Sequence, residues 1–171
     1  MKIISIILLL AISAGCVAWP PQLMVDNKMG ETITKIVYRH DDSSVPPKYH
    51  RSYKIEAINN KISIVVDSYG EILAQKEFPI TATQFSELVV YLNEKRVHNT
   101  KNTESMGCTG GTGENIGFFA GAKVVFKGSV YYCGGKDYGD MVGDIEGFAT
   151  KITSFIPQFE KLRHAEYINE S

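Results

Sequence analysis

The chain has 171 residues, with 18 Lys and Arg against 19 Asp and Glu and a formal net charge of −1. That balance excludes the basic footprint of a nucleic-acid binder and a polybasic membrane patch. The length fits one domain that buries about two-thirds of the surface its unfolded chain exposes.

The chain opens MKIISIILLLAISAGC: one lysine, an apolar run from Ile3 to Ile12, then small residues up to Cys16. This is the pattern of a secretory signal, and the run is shorter than the roughly 20 apolar residues a membrane span needs. Ser13, Ala14 and Gly15 before Cys16 resemble a bacterial lipobox, with Ser13 where leucine is usual. The resemblance implies that Cys16 is acylated and begins the mature protein. It also implies, through Val17, sorting to the outer membrane where the host has two membranes. The rival is ordinary cleavage after Ala18, giving a soluble periplasmic or secreted product. The chain then divides into a signal (1–15, or 1–18), a tether (16–30) and one globular domain (31–168). Losing Lys2 from the 18 basic residues leaves 17 against 19 acidic ones, a net charge of −2.

In the domain, TITKIVYRH reads as a strand, and a loop with Pro46 and Pro47 follows. YHRSYKIEAI, KISIVVDS and EILAQKEF read as three further strands, joined at Asn59–Asn60 and at the DSYG turn that ends in Gly70. Together they predict a four-stranded antiparallel meander. At Pro79 the period changes to 3.6. Thr81 and Gln84 form a capping box, Ile80 and Phe85 a hydrophobic staple, and Phe85, Leu88, Val89 and Leu92 one apolar stripe. A helix from about Ala82 to Arg96 is expected.

HNTKNTES reads as a polar connection, and GFFAGAKVVFKGSVYYCGG as a strand pair turning at Gly128–Ser129. Near the end, Ile145, Phe148, Ala149, Ile152 and Phe155 recur at helical spacing until Pro157. The expected fold class is α+β: a four-stranded meander plus a strand pair, packed against two to three helices, with one disulfide.

That disulfide settles how CTGGTGENIGFF, from Cys108 to Phe119, is read. A phosphate loop needs a lysine, and none lies between 102 and 122; a dinucleotide fingerprint needs glycine where Ile116 stands. Zinc lacks a ligand set. If Cys16 is lipidated, Cys108 and Cys133 remain as a pair in an oxidising compartment. No metal and no cofactor are expected.

The four histidines offer no convincing general base. His40 with Asp41 and Asp42 could form a carboxylate–histidine pair, but reads better as a solvated turn; His50 beside Arg51 reads as an exposed strand residue; His98 and His164 lie near element ends. No nucleophile elbow is present. The acidic stretch KDYGDMVGDIE has the wrong spacing for a calcium loop, and Asp140 and Asp144 fit helix capping better. Around the stapled segment Phe118, Tyr131, Tyr132 and Tyr138 form a candidate contact surface.

In size, export signal and rigid loop the chain is similar, at the level of class, to periplasmic lysozyme inhibitors and immunity proteins. The expected function is a non-enzymatic binding or inhibitor/immunity-type module of the bacterial cell envelope. It would be held to the membrane by lipid and would recognise a protein or glycan partner through a disulfide-braced loop. The alternative is a small envelope hydrolase using acids among Asp137, Asp140 and Asp144, or the His40–Asp42 cluster.

Overall fold

The structure, a computed structural model, describes residues 32–165. The signal segment, Cys16 and the whole of the tether lie outside these residues. Eight strands and three helices follow in chain order: β1 (Lys35–Asp41), β2 (Ser52–Ile58), β3 (Lys61–Ser68), β4 (Glu71–Pro79), α1 (Ala82–Glu94), β5 (His98–Thr103), β6 (Thr112–Ala120), β7 (Lys123–Cys133), β8 (Lys136–Val142), α2 (Ile145–Thr153) and α3 (Phe159–Arg163). All strands join one antiparallel sheet in the order β4-β3-β2-β1-β6-β7-β8-β5. The fold is therefore a sheet-dominated α+β domain with one disulfide, Cys108–Cys133.

The sequence expectation of six strands falls short by two. β5, HNTKNT, is exposed at every position and carries no apolar residue to signal a strand, and β8 follows β7 through a tight turn at Gly134 and Gly135. The turn expected at Gly128–Ser129 is also corrected. β6 and β7 turn at Gly121, and Gly128 lies inside β7 opposite Ile116.

Alternation gives the sheet two unlike faces. One displays Ile36, Tyr38, Ile55, Ala57, Ile62, Ile64, Val66, Ile116 and Phe118, all essentially buried. The helices pack there: Phe148 of α2 meets the rings of Tyr38 and Phe118, and Phe159 meets Tyr53. α1 adds Phe85, Leu88, Val89 and Leu92 to the same core. Burying each such side chain contributes about 1.5–3 kcal/mol. The capping box forms as its spacing requires, the Gln84 amide donating to Thr81 Oγ1 at 3.1 Å and the Thr81 amide to Gln84 Oε1 at 2.8 Å. At the start of α2, Asp144 accepts the Gly147 amide at 2.8 Å.

The second face carries half-buried polar side chains, among them Arg39, Asp41, Asn115, Ser129 and Tyr131. This face, at the end of the sheet where β1 finishes and β6 begins, is where the stapled loop meets the strands.

Candidate functional site

A row of residues crosses the second face. Ser52 pairs with Asp67, Asp41 with Gly113, Gly113 with Tyr131, and Tyr131 with Tyr138. Because His40 faces Tyr53, Ser52 stands beside Asp41 and the row is continuous from β3 to β8. Gly113 has no side chain to raise between Asp41 and Tyr131, so the row dips there. Two adjoining clefts lie along the row, and Gly113 lines the smaller. One, of about 460 Å³, is lined by residues including Arg39, Asp67 and Tyr69. The other, of about 330 Å³, includes Gly111, Asn115 and Tyr131, and both are bordered by Asp41 and Asp42.

The polar groups of the row hold one another in place. Arg39 Nε donates to Asp41 Oδ1 at 2.5 Å, and its Nη1 reaches Asp67 Oδ2 at 3.5 Å. Asn115 donates to Asp41 Oδ2 at 2.9 Å, and the Gly70 amide to Asp67 Oδ1 at 3.1 Å. Asp42 organises the connection between β1 and β2 by accepting the amides of Ser43 and Arg51, both at 2.8 Å. Every carboxylate keeps spare lone pairs.

The stapled loop reaches the second cleft at Gly111. Cys108 and Cys133 are bonded, with Cα atoms 6.2 Å apart. The Gly111 amide donates to the Tyr131 hydroxyl at 3.2 Å, and that hydroxyl donates to the Cys108 carbonyl at 3.3 Å. Glycine is required at 111. A Cβ there would collide with the Tyr132 carbonyl oxygen and lie 2.7 Å from Tyr131 Cζ and 2.8 Å from Cys133 Cβ. Beyond the brace, Met106 is 97 % exposed.

The expected contact surface divides. Tyr131 and Tyr138 are cross-strand partners on the open face, with ring centroids 6.5 Å apart. Phe118 is corrected: alternation with Ile116 turns it to the helices, where it is 0 % exposed. Tyr132 also faces that side and packs against the core. Cys16 lies outside the described residues. The acidic cluster disperses. Asp144 caps α2, its carboxyl held below the usual range by the Gly147 amide and by Lys95, while Asp140 accepts the Ser129 amide from β7 at 2.8 Å.

Two histidines depart from expectation. His50 is 5 % exposed rather than surface-facing, stacked on Tyr69 with ring centroids 3.9 Å apart, and lines the larger cleft. Its Nδ1 has no hydrogen-bond partner among the described residues. A buried polar atom left so costs about 1–3 kcal/mol. His40 pairs with Glu114, not with its sequence neighbours, its Nδ1 lying 2.8 Å from Glu114 Oε1; the Tyr38 hydroxyl donates to Glu114 Oε2 at 2.5 Å. Burial and the nearby Glu114 charge raise the Tyr38 phenol far above its ordinary value. Burial pushes Tyr53 up to about 12, against the Tyr38 hydrogen bond, and burial with Glu114 also pushes Tyr132 up to about 12. Sequence reasoning missed Glu114, because only the register of β1 on β6 sets it opposite His40.

Among the described residues, no cluster of three or more His, Cys, Asp or Glu could hold a metal ion, and no helix is long and apolar enough to cross a membrane. No protein-family model, curated protein or solved structure matches the chain.

Proposed function

We propose that the chain is an exported protein of the bacterial cell envelope, lipid-anchored through Cys16, that works as a non-enzymatic binding or inhibitor/immunity-type module. Its binding face is the polar row of the sheet together with the stapled loop, and its partner is a protein or glycan of the envelope. One observation supports this most. The Cys108–Cys133 bond and the Tyr131 hydroxyl fix residues 108–111, whose Gly111 borders the cleft beside Tyr131. A loop ordered before contact avoids the entropy of ordering on binding.

Retention of the mature protein on an isolated envelope fraction tests the reading. Saturable retention that falls when Tyr131 is replaced by alanine is expected. Retention unchanged by Tyr131→Ala, with the fold intact, removes the loop from the binding face.

A second reading, a small envelope hydrolase, is favoured by the His40–Glu114 contact, in which a carboxylate orients an imidazole. The imidazole stacks on Tyr53, ring centroids 5.0 Å apart, and among the described residues no serine or cysteine is hydrogen-bonded to it. Turnover of envelope polymers that His40→Ala abolishes would establish this reading over the first.

A further inference from the structure

One wall of the larger cleft is backed by a buried imidazole, His50. Ser52 Oγ accepts the Asp42 amide at 2.9 Å and lies 3.3 Å from His50 Nε2. Ser52 is 2 % exposed, and His50 Nε2 is the acceptor within reach of its hydroxyl proton. With Nε2 accepting, the neutral imidazole carries its proton on Nδ1. The atom without a partner is thus an N–H donor buried behind the cleft wall, in a ring stacked against Tyr69.

Around it stand Arg39, with guanidinium donors beyond the two it uses, and Asp41 and Asp67, with lone pairs beyond those filled by Arg39, Asn115 and Gly70. Donors and acceptors alternate over a short span. An anion would face Asp41, Asp42 and Asp67, whereas a cation would face Arg39. A hydroxyl group, which donates and accepts at the same point, suits both sets.

Tyr69 supplies the second observation. It occupies the first central position of the β3–β4 turn with φ of 52°, followed by Gly70 at 91°. That position favours Asn, Asp or Gly, because other side chains crowd the backbone at positive φ. The tyrosine stands there with one ring face on His50, its hydroxyl donating to the Val45 carbonyl at 2.7 Å, and 58 % of the residue exposed at the cleft. An apolar ring face beside alternating donors and acceptors fits the C–H face of a sugar ring. The cleft volume of 460 Å³ lies within the range of small-ligand sites.

We propose that this cleft binds a neutral saccharide, with Arg39, Asp41 and Asp67 bonding its hydroxyls and Tyr69, braced from behind by His50, stacking on its ring. The dip at Gly113 lets an oligosaccharide continue toward Tyr131. This assignment rests on the binding-module reading and names its ligand class.

The test is an NMR titration of the mature protein with three neutral trisaccharides: chitotriose, cellotriose and maltotriose. At least one shifts the amides of Ser52 and Gly70 and the His50 ring resonances, saturably and with affinity independent of salt. Tyr69→Asn, which suits the positive φ of the turn and whose fold is checked by its amide spectrum, weakens binding by about tenfold through loss of the ring. No shift at these residues with any of the three overturns the proposal, as does affinity that falls steeply with salt, the mark of a charged ligand. An undiminished Tyr69→Asn affinity overturns it too. If envelope retention persists while all three sugars fail, the partner is a protein, and the binding reading outlives the saccharide assignment.

Discussion

The Gly111 amide donates to the Tyr131 hydroxyl, 3.2 Å away, so a strand side chain holds the loop main chain where the open face of the sheet meets the disulfide. Tyr131→Phe removes that acceptor and also the bond to the Cys108 carbonyl. The expected loss is about 1 kcal/mol, with faster amide exchange confined to residues 108–111. Exchange measured by mass spectrometry on both proteins checks it; uniform acceleration across the sheet would show the tyrosine to be a core residue instead.

The disulfide acts on the whole domain. It closes a separation of 25 residues, for which loop entropy gives about 3–4 kcal/mol of stabilisation. The double variant Cys108→Ser, Cys133→Ser should melt roughly 10 °C lower while keeping its far-ultraviolet circular dichroism. Thiol titration of the denatured, unreduced protein complements the melt, since thiols at Cys108 and Cys133 would contradict the bond.

The Thr81 cap of α1 is a local device with a local consequence. Thr81→Ala leaves the Gln84 amide without its acceptor, at a cost of about 1 kcal/mol, and Thr81→Ser restores most of it. Urea denaturation of the three proteins measures both steps.

How much of this was written in the sequence depends on range. α1 was legible because its box, staple and stripe all lie between Ile80 and Leu92, and Asn59–Asn60 and Tyr69–Gly70 mark turns for the same reason. Gly128 misled, because glycine there answers a packing need. A Cβ would lie 3.0 Å from Met141 Cβ and 3.1 Å from Asn99 Nδ2. β5 was silent, since an exposed edge strand needs no apolar alternation. The site was hardest to read. Tyr131, Tyr138 and the cysteine pair were visible, but the split of Phe118 and Tyr132 from them follows from strand phase. The burial of His50 follows from a loop folding over β3, and the His40–Glu114 contact from pairing across 74 positions.

Alkaline pH should expose the buried phenols. Tyr53 and Tyr132 titrate at about 12 in the folded protein, and Tyr38 higher still, against about 10 in the unfolded chain. Above about pH 10 the unfolded state therefore binds fewer protons than the folded one, so stability falls as pH rises. The contribution is fully present below about pH 10 and is lost for Tyr53 and Tyr132 as pH passes through about 12. Unfolding free energies between about pH 9 and about pH 11.5 should decline, and Tyr53→Phe should flatten the decline. A flat profile in the wild type would contradict the burial of these hydroxyls.

The anchor is tested by labelling. Cys16→Ser should abolish palmitate incorporation and move the protein from the membrane to the soluble fraction. Undiminished labelling would place the lipid elsewhere or show that the assignment of Cys16 is wrong.

The binding face is tested most directly by site-specific photo-crosslinking in living cells. A photoreactive amino acid at Met106, the 97 % exposed residue beyond the disulfide brace, should yield a discrete higher-mass adduct. The same group at Val90, 44 % exposed on α1 and therefore on the helix side of the sheet, should yield none. An adduct from Val90 with none from Met106 would contradict the central claim that the stapled loop and the open face of the sheet form the surface this protein binds with.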